Sequence, residues 1–196
     1  MTGSCGDSRI KNMPDIENFK ERLIGLLNRE ALKRGKFVLS SGRESNYYLD
    51  GRVITLTPEG AYLVASIILN MVDGRGFDAL GGPTLGADPI VGAVAALSYM
   101  QNRALKTFIV RKQAKDHGRQ RQVEGPELKQ GQRVVLVDDV ATSGKAILEA
   151  KAVLDILGVK AETAIVIVDR GEGAADNLAK SGLKLESIFK LADFGL

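Results

Sequence analysis

The 196-residue chain carries 27 lysine and arginine residues against 24 acidic ones and a single histidine, a formal net charge of +3. Such a chain can bury a core as one domain, or as one domain with a small appendage, without metals or cross-links. The lone cysteine, Cys5, excludes an intrachain disulfide framework and points to a reducing, cytoplasmic compartment. The slight basic excess admits an anionic ligand but is no electrostatic footprint for nucleic acid.

The opening MTGSCGDSRIKN is polar and lacks the basic-then-apolar layout of a signal peptide, so it reads as a frayed tail or an expression remnant. From Ile16 to Arg34, the residues Ile16, Phe19, Leu23, Leu27 and Ala31 recur at helical spacing, and Gly35 supplies a stop. Short strands are predicted at Phe37 to Leu39 and Tyr47 to Leu49, flanking the turn residues SSGRESN. Thr57 then offers an N-cap, with Pro58 at the first helical position, for a helix that includes Tyr62 to Met71. The apolar run Ala61 to Val72 falls short of the roughly 20 residues a bilayer span needs, so a core helix is expected and no membrane association.

Beyond it the chain alternates. Strands are predicted at Asp78 to Leu80, Thr107 to Val110, Val134 to Val137, Thr163 to Val168 and Ser187 to Leu191. Helices fall around Ile90 to Met100, Ala146 to Leu157 and Ala174 to Lys180. Strands separated by helices imply an α/β fold with an open, doubly wound, mainly parallel sheet covered by helices on both faces. One segment breaks the alternation: Arg111 to Gln132 is polar, shows no helical or strand period, and reads as a functional loop.

The most informative stretch is VVLVDDVATSGKA, Val134 to Ala146. In an open parallel sheet the ligand crevice lies outside the carboxyl ends of the strands, so Asp138 and Asp139 are expected at a binding edge. Ala141, Thr142, Ser143 and Gly144 are small enough for the backbone to wrap an anion, and the next helix offers free N–H groups and its positive dipole end. The pattern is neither a Walker loop nor a dinucleotide turn. Paired acids for hydroxyls beside a phosphate cradle suit a ribose phosphate.

Here the stretch resembles the diphosphoribosyl-binding motif of the type I phosphoribosyltransferases: four hydrophobic residues, two acids, then a loop containing Thr and Gly. The resemblance implies that Asp138 and Asp139 hold the ribose hydroxyls of phosphoribosyl diphosphate, with Val140 completing the turn and Ala141, Thr142, Ser143, Gly144, Lys145 and Ala146 around its phosphate. Lys145 departs from the small hydroxyl residue often found there, and is left between a phosphate contact and a solvent-facing role.

The basic segment RKQAKDHG is similar to the catalytic loop of the orotate phosphoribosyltransferases, with Arg111, Lys112, Lys115 and His117 at the matching positions. A lid bearing such cations stabilises a departing diphosphate and excludes water. The resemblance implies catalytic roles for Lys115, His117, Asp138 and Asp139, and a homodimer in which Arg111 to His117 are shared across subunits. FVLSSGRESNYYLD resembles the segment that covers the pyrimidine, with Ser40 where several members carry Lys. GGPTLGADP resembles the diphosphate-binding loop, with Gly86 where some carry Lys. Asp88 is read as the N-cap of the following helix, or else as a residue positioning magnesium or water. Arg170 and Thr142 are expected to orient orotate, since a guanidinium suits a planar carboxylate.

The resemblance therefore implies transfer of a phosphoribosyl group to orotate, with Mg2+ bridging substrate oxygens and no dedicated protein ligands. Residues 1–13 form the expected tail and 14–196 one phosphoribosyltransferase domain, with 14–57 contributing to an N-terminal hood and 111–125 a mobile loop. The competing readings are a purine or uracil phosphoribosyltransferase and a regulatory protein that senses phosphoribosyl diphosphate while gripping nucleic acid.

Overall fold

The computed structural model describes residues 15–38, 44–113 and 122–196. The expected tail, Ser40, Lys115 and His117 lie outside the described residues.

Helix α1 (Ile16–Leu26) opens on Asp15, whose carboxylate accepts from Asn18 N at 3.1 Å. It does not run on to Arg34 as its apolar spacing suggests. A π-helical turn covers Leu27–Ala31, and strand β1 (Leu32–Val38) begins at once. The reason is tertiary: Leu32, Lys33 and Arg34 pair antiparallel with Leu49, Tyr48 and Tyr47 of strand β2 (Glu44–Leu49), and ladder bonds outweigh a weak helical preference there. Gly35, expected as a helix stop, sits instead where the β1–β2 register shifts between Arg34 and Phe37. These two strands form the small N-terminal hood.

A short helix α2 (Arg52–Thr55) leads to α3 (Pro58–Val72), capped as predicted by Thr57, whose hydroxyl accepts from Gly60 N at 3.1 Å. The chain continues through β3 (Ala79–Pro83), α4 (Ala87–Met100), β4 (Lys106–Val110), β5 (Val123–Glu124), β6 (Arg133–Ala141), α5 (Lys145–Ile156), β7 (Lys160–Asp169), α6 (Ala174–Ala179) and β8 (Lys184–Lys190), with a 3-10 turn over Leu191–Phe194. The main sheet has the order β5-β4-β3-β6-β7-β8. All its pairs are parallel except β4 with β5. The edge strand β5 is a correction, since Arg111 to Gln132 showed no strand period; two residues are too few to display one.

Both faces of the sheet are covered. Along β6, Val135 and Val137 join Leu63, Ile67, Ile90 and Val94 from α3 and α4, while Val134 and Leu136 join Ile147, Leu154 and Leu178 from α5 and α6. Burial on both faces explains why β6 and β7 read as continuous apolar runs rather than as alternating patterns. This is the doubly wound α/β architecture expected. Among the described residues no helix is long and apolar enough to cross a membrane.

Candidate active site

Strand β6 extends four residues beyond the predicted end, so Asp138 and Asp139 lie inside the ladder: Asp138 faces Val166, and Val140 and Ala141 face Val168 and Asp169 on β7. The acids are therefore held by backbone pairing instead of standing on a loose loop. Asp138 is only 8 % exposed. Its Oδ1 accepts from Asp139 N at 3.0 Å, and Asp139 Oδ1 accepts from Val140 N at 2.8 Å. Burial pushes the Asp138 carboxyl well above the ordinary range, and the neighbouring Asp139 and Asp88 charges push the same way. Asp139 is also raised by burial, against a downward pull from the Val140 amide and the Arg52 guanidinium.

Arg52 is fixed by a fork: its Nε and Nη2 each donate to Asp50 at 2.9 Å. The same contact holds the Asp50 carboxyl below its usual range. Gly51 packs on the acid pair, for a Cβ there would stand 2.8 Å from Asp139 Cβ. The segment after the hood thus seats one cation and one bare backbone turn on Asp139. The sequence reading missed Asp50, Gly51 and Arg52, although an Asp with Arg two residues on is a recognisable local fork.

The cradle follows directly. Gly144 takes the left-handed conformation at φ 76°, which turns the chain into α5. Asn177 on α6 pins the loop by donating to Ser143 O at 3.0 Å. Asp138, Val140, Ala141, Thr142, Ser143, Gly144, Lys145 and Ala146 all line a cavity of about 130 Å³ at the start of the helix. The Lys145 side chain is 81 % exposed, and its ammonium lies 3.7 Å from Glu149 one turn on.

Ala146 also lines a larger cavity of about 450 Å³, whose walls include Arg111, Lys112 and Gln113. These residues form one side of the loop stem, closed by Arg111 N donating to Gln122 O at 2.8 Å. The Arg111 guanidinium itself reaches Glu124 at 3.3 Å. The stem therefore brings Arg111 and Lys112 to the edge of the cradle.

Between β3 and α4 the loop that contains Thr84, Leu85 and Gly86 lies against the acids. Gly86 has ordinary helical angles, φ −61° and ψ −39°, yet a Cβ there would overlap Asp138 Oδ1 and stand 2.5 Å from Asp139 Oδ1. Space, and not backbone freedom, requires glycine at 86. Asp88 is not the N-cap of α4: it falls inside the first turn, Gly86 occupies the cap, and no side chain caps the helix. Among the described residues Asp88 Oδ1 is buried with no hydrogen-bond partner, and burial raises its carboxyl above the usual range.

Arg170 closes the far side. Its backbone N donates to Ala141 O at 3.0 Å, tying it to the start of the cradle. It is 9 % exposed and so not a surface arginine. Its Nε donates to the Tyr47 hydroxyl at 2.9 Å and lies 2.9 Å from Glu172 Oε1. Neither partner was singled out from the sequence: Tyr47 is 123 residues away from Arg170, whereas Glu172, two residues on, is a local acid–arginine pairing within reach of a sequence reading.

An acid pair at the carboxyl edge of a parallel sheet, with a small-residue cradle beside it, is the arrangement expected of a phosphoribosyltransferase domain, and the family model described as phosphoribosyl transferase domain matches residues 55–196. Curated relatives include the orotate phosphoribosyltransferases of Nostoc sp., 40 % identical over 91 % of this chain and 86 % of that protein, and of Rhodopirellula baltica, 42 % identical over 89 % and 93 %. A solved structure of Mycobacterium tuberculosis orotate phosphoribosyltransferase with Fe(III) dicitrate superposes with a TM-score of 0.80 at 36 % identity, covering 91 % of this chain and 99 % of that one. The same bacterium's enzyme in complex with 5-phospho-alpha-D-ribosyl 1-diphosphate gives 0.76 at 32 % identity, over the same shares. The chain belongs to the orotate phosphoribosyltransferases, enzymes of the pentosyltransferase class.

Proposed function

We propose that the chain transfers the phosphoribosyl group of phosphoribosyl diphosphate to the ring nitrogen of orotate, giving orotidine monophosphate and diphosphate in the synthesis of UMP. The observation that carries this reading is the continuity of β6 into the cradle. One uninterrupted run from Asp138 to Ala146 offers buried carboxylates and then a small-residue anion pocket.

In this reading Asp138 and Asp139 accept from the ribose hydroxyls, while the amides of Ala141 to Ala146 and the Thr142 and Ser143 hydroxyls hold the 5-phosphate. The bond from the anomeric carbon to diphosphate oxygen breaks, its electron pair leaving with diphosphate, and the orotate nitrogen forms the new bond to that carbon. Positive character on the sugar is favoured by the adjacent acids, and negative charge on the leaving group by Arg111, Lys112, Lys115 and His117. His117 donates a proton to the departing group. Orotate arrives as a carboxylate anion whose ring nitrogen still bears its proton; that proton leaves as the N–C bond forms, passing to an oxygen of the departing diphosphate or to solvent, and Thr142 and Arg170 orient the ring.

Among the described residues no three His, Cys, Asp or Glu side chains are grouped to hold a metal. The donors at hand, two acids behind a sugar site, suit an ion that arrives on its substrate. Asp138 and Asp139 would lie beside such a Mg2+ ion, which would supply positive charge to balance the diphosphate. We further propose that the enzyme works in the cytoplasm as a homodimer whose loop, Arg111 to His117, is shared between subunits.

The direct test is a purified-protein assay with phosphoribosyl diphosphate, orotate and magnesium. Orotate absorbance is expected to fall, the signal should vanish on chelation, and absence of turnover with fresh magnesium defeats the assignment. Lys115→Ala is expected to lower kcat roughly 10²-fold to 10³-fold, the usual loss for one charge-stabilising donor, with an unchanged melting curve. Wild-type turnover in that variant would remove the lysine from the mechanism.

A further inference from the structure

We infer that Tyr47, a hood residue, is a positioning residue for Arg170, and through it sets the enzyme's preference for an acceptor that bears a carboxylate. The inference rests on the proposed use of Arg170 as the partner of the orotate carboxylate.

An arginine side chain has several rotatable bonds, and a free guanidinium offers five N–H groups in many directions. In this structure the choice is removed. The guanidinium carbon lies 4.6 Å from the centroid of the Tyr47 ring, close enough for the ring face to attract it. Tyr47 oxygen accepts from Nε at 2.9 Å, and Glu172 Oε1 lies 2.9 Å from the same nitrogen. The single Nε–H is thus engaged at the Tyr47 and Glu172 side, and the Nη1 and Nη2 groups form the parallel pair of donors that matches the two oxygens of a planar carboxylate.

The anchors of this arrangement come from separate elements. Arg170 follows β7, and its backbone is bonded to Ala141 on β6. Asp169 stiffens the turn by accepting from Gly171 N at 2.9 Å. Tyr47 belongs to β2, paired in register with Arg34 of β1, and Arg34 Nη2 donates to Phe194 O at 2.9 Å near the carboxyl end of the chain. The hood is thus tied to the body at Phe194 and reaches the acceptor side of the site through Tyr47.

Tyr47 touches the arginine rather than the reacting atoms, so its effect should appear in acceptor recognition and not in handling of the phosphoribosyl donor. The test compares binding of orotidine monophosphate and uridine monophosphate, which differ only by the carboxylate, to wild type, Tyr47→Phe and Tyr47→Leu. Calorimetric titration is paired with steady-state kinetics and a melting curve. Tyr47→Phe keeps the ring and loses the hydroxyl; it should weaken orotidine monophosphate roughly fivefold to tenfold, the scale of one lost hydrogen bond to a charged group acting at one remove. Tyr47→Leu, which loses the ring as well, should weaken it further. In Tyr47→Phe, which keeps the ring over the pyrimidine side, uridine monophosphate affinity and the KM for phosphoribosyl diphosphate should stay within twofold, while the KM for orotate rises more than kcat falls. A general loosening of the fold would instead weaken both nucleotides together and lower the melting temperature, and that result overturns the inference. So does a Tyr47→Phe protein that keeps the wild-type ratio of the two affinities. A wild-type protein with no preference for orotidine monophosphate and no orotate turnover removes the proposed function, and this inference with it, so the two failures are told apart by wild type alone.

Discussion

Asp138→Asn is expected to lower kcat/KM for phosphoribosyl diphosphate by roughly tenfold to a hundredfold and, at the same time, to raise the melting temperature. In the proposed role of Asp138, the kinetic loss follows from replacing a charged acceptor of ribose hydroxyls by a neutral one, since hydrogen bonds to charged groups are worth about 1.5–3 kcal/mol and each 1.36 kcal/mol is a factor of ten in rate. The gain in stability has a separate origin. Asp138 is only 8 % exposed, and that burial raises its carboxyl well above the ordinary range, helped by Asp139 and Asp88. The native state therefore binds the Asp138 proton more tightly than the unfolded chain does.

The sign of the pH dependence is fixed by this. A folded-state pKa above the unfolded value contributes stability that is fully present below the unfolded pKa, about 3.9 for aspartate, and is lost as pH rises through the folded value. At neutral pH the acid is consequently a burden on the fold, and asparagine relieves it while its Oδ1 can still accept from the Asp139 amide. The expected gain is about 1 kcal/mol, the common size for a relieved functional site, or about 2–4 °C for a chain of this length. Melting curves of both proteins across pH should converge near pH 4 and part as pH rises; curves that run parallel, or a variant less stable at pH 7, would refute the account. The acid limb of wild-type kcat/KM should likewise lie above the usual carboxylate range, and as a property of the Asp138 and Asp139 pair rather than of either alone.

The sheet and its ligand edge were legible because each strand announces itself locally. Val134 to Val137 is apolar on both faces, the acids and small residues follow in one run, and Thr57 with Pro58 marks a helix start that the structure reproduces. What was not legible depends on pairing at a distance. The helical spacing of Ile16 to Ala31 is real, yet Leu32 to Arg34 become strand because β2 lies alongside them. The end of β6 was placed four residues early because polar residues usually close a strand, whereas here pairing with β7 continues through Ala141. Tyr47 over Arg170, and Gly51 and Gly86 against the acids, are contacts between segments that no window of sequence contains. Lys115 and His117, to which only the resemblance assigns catalytic roles, lie outside the described residues.

Gly86 carries the second large expectation, and it runs against the ordinary rule. At a position with φ −61° and ψ −39°, replacing glycine by alanine normally stabilises a protein by about 0.4–1 kcal/mol, because it removes freedom from the unfolded chain. Here the added Cβ would overlap Asp138 Oδ1 and stand 2.5 Å from Asp139 Oδ1. The carboxylates could swing aside, but each is committed. Asp138 Oδ1 accepts from Asp139 N and Asp139 Oδ1 from Val140 N, at 3.0 and 2.8 Å, and the space beyond Asp139 is filled by Gly51. Gly86→Ala is therefore expected to destabilise the fold by about 1–3 kcal/mol, the cost of overpacking a closed site. It should also reduce kcat/KM for phosphoribosyl diphosphate at least a hundredfold, since both acids must turn from their ribose-facing positions and two charged acceptors are misplaced at about 1.5–3 kcal/mol each. A lysine at 86, as found in some relatives of the fold, needs the same room for its Cβ and should fare no better in this chain. If Gly86→Ala melts at or above the wild-type temperature and retains its kcat/KM, the loop does not press on the acid pair, and the tight seating of Asp138 and Asp139 between the β3–α4 loop and Gly51 is wrong.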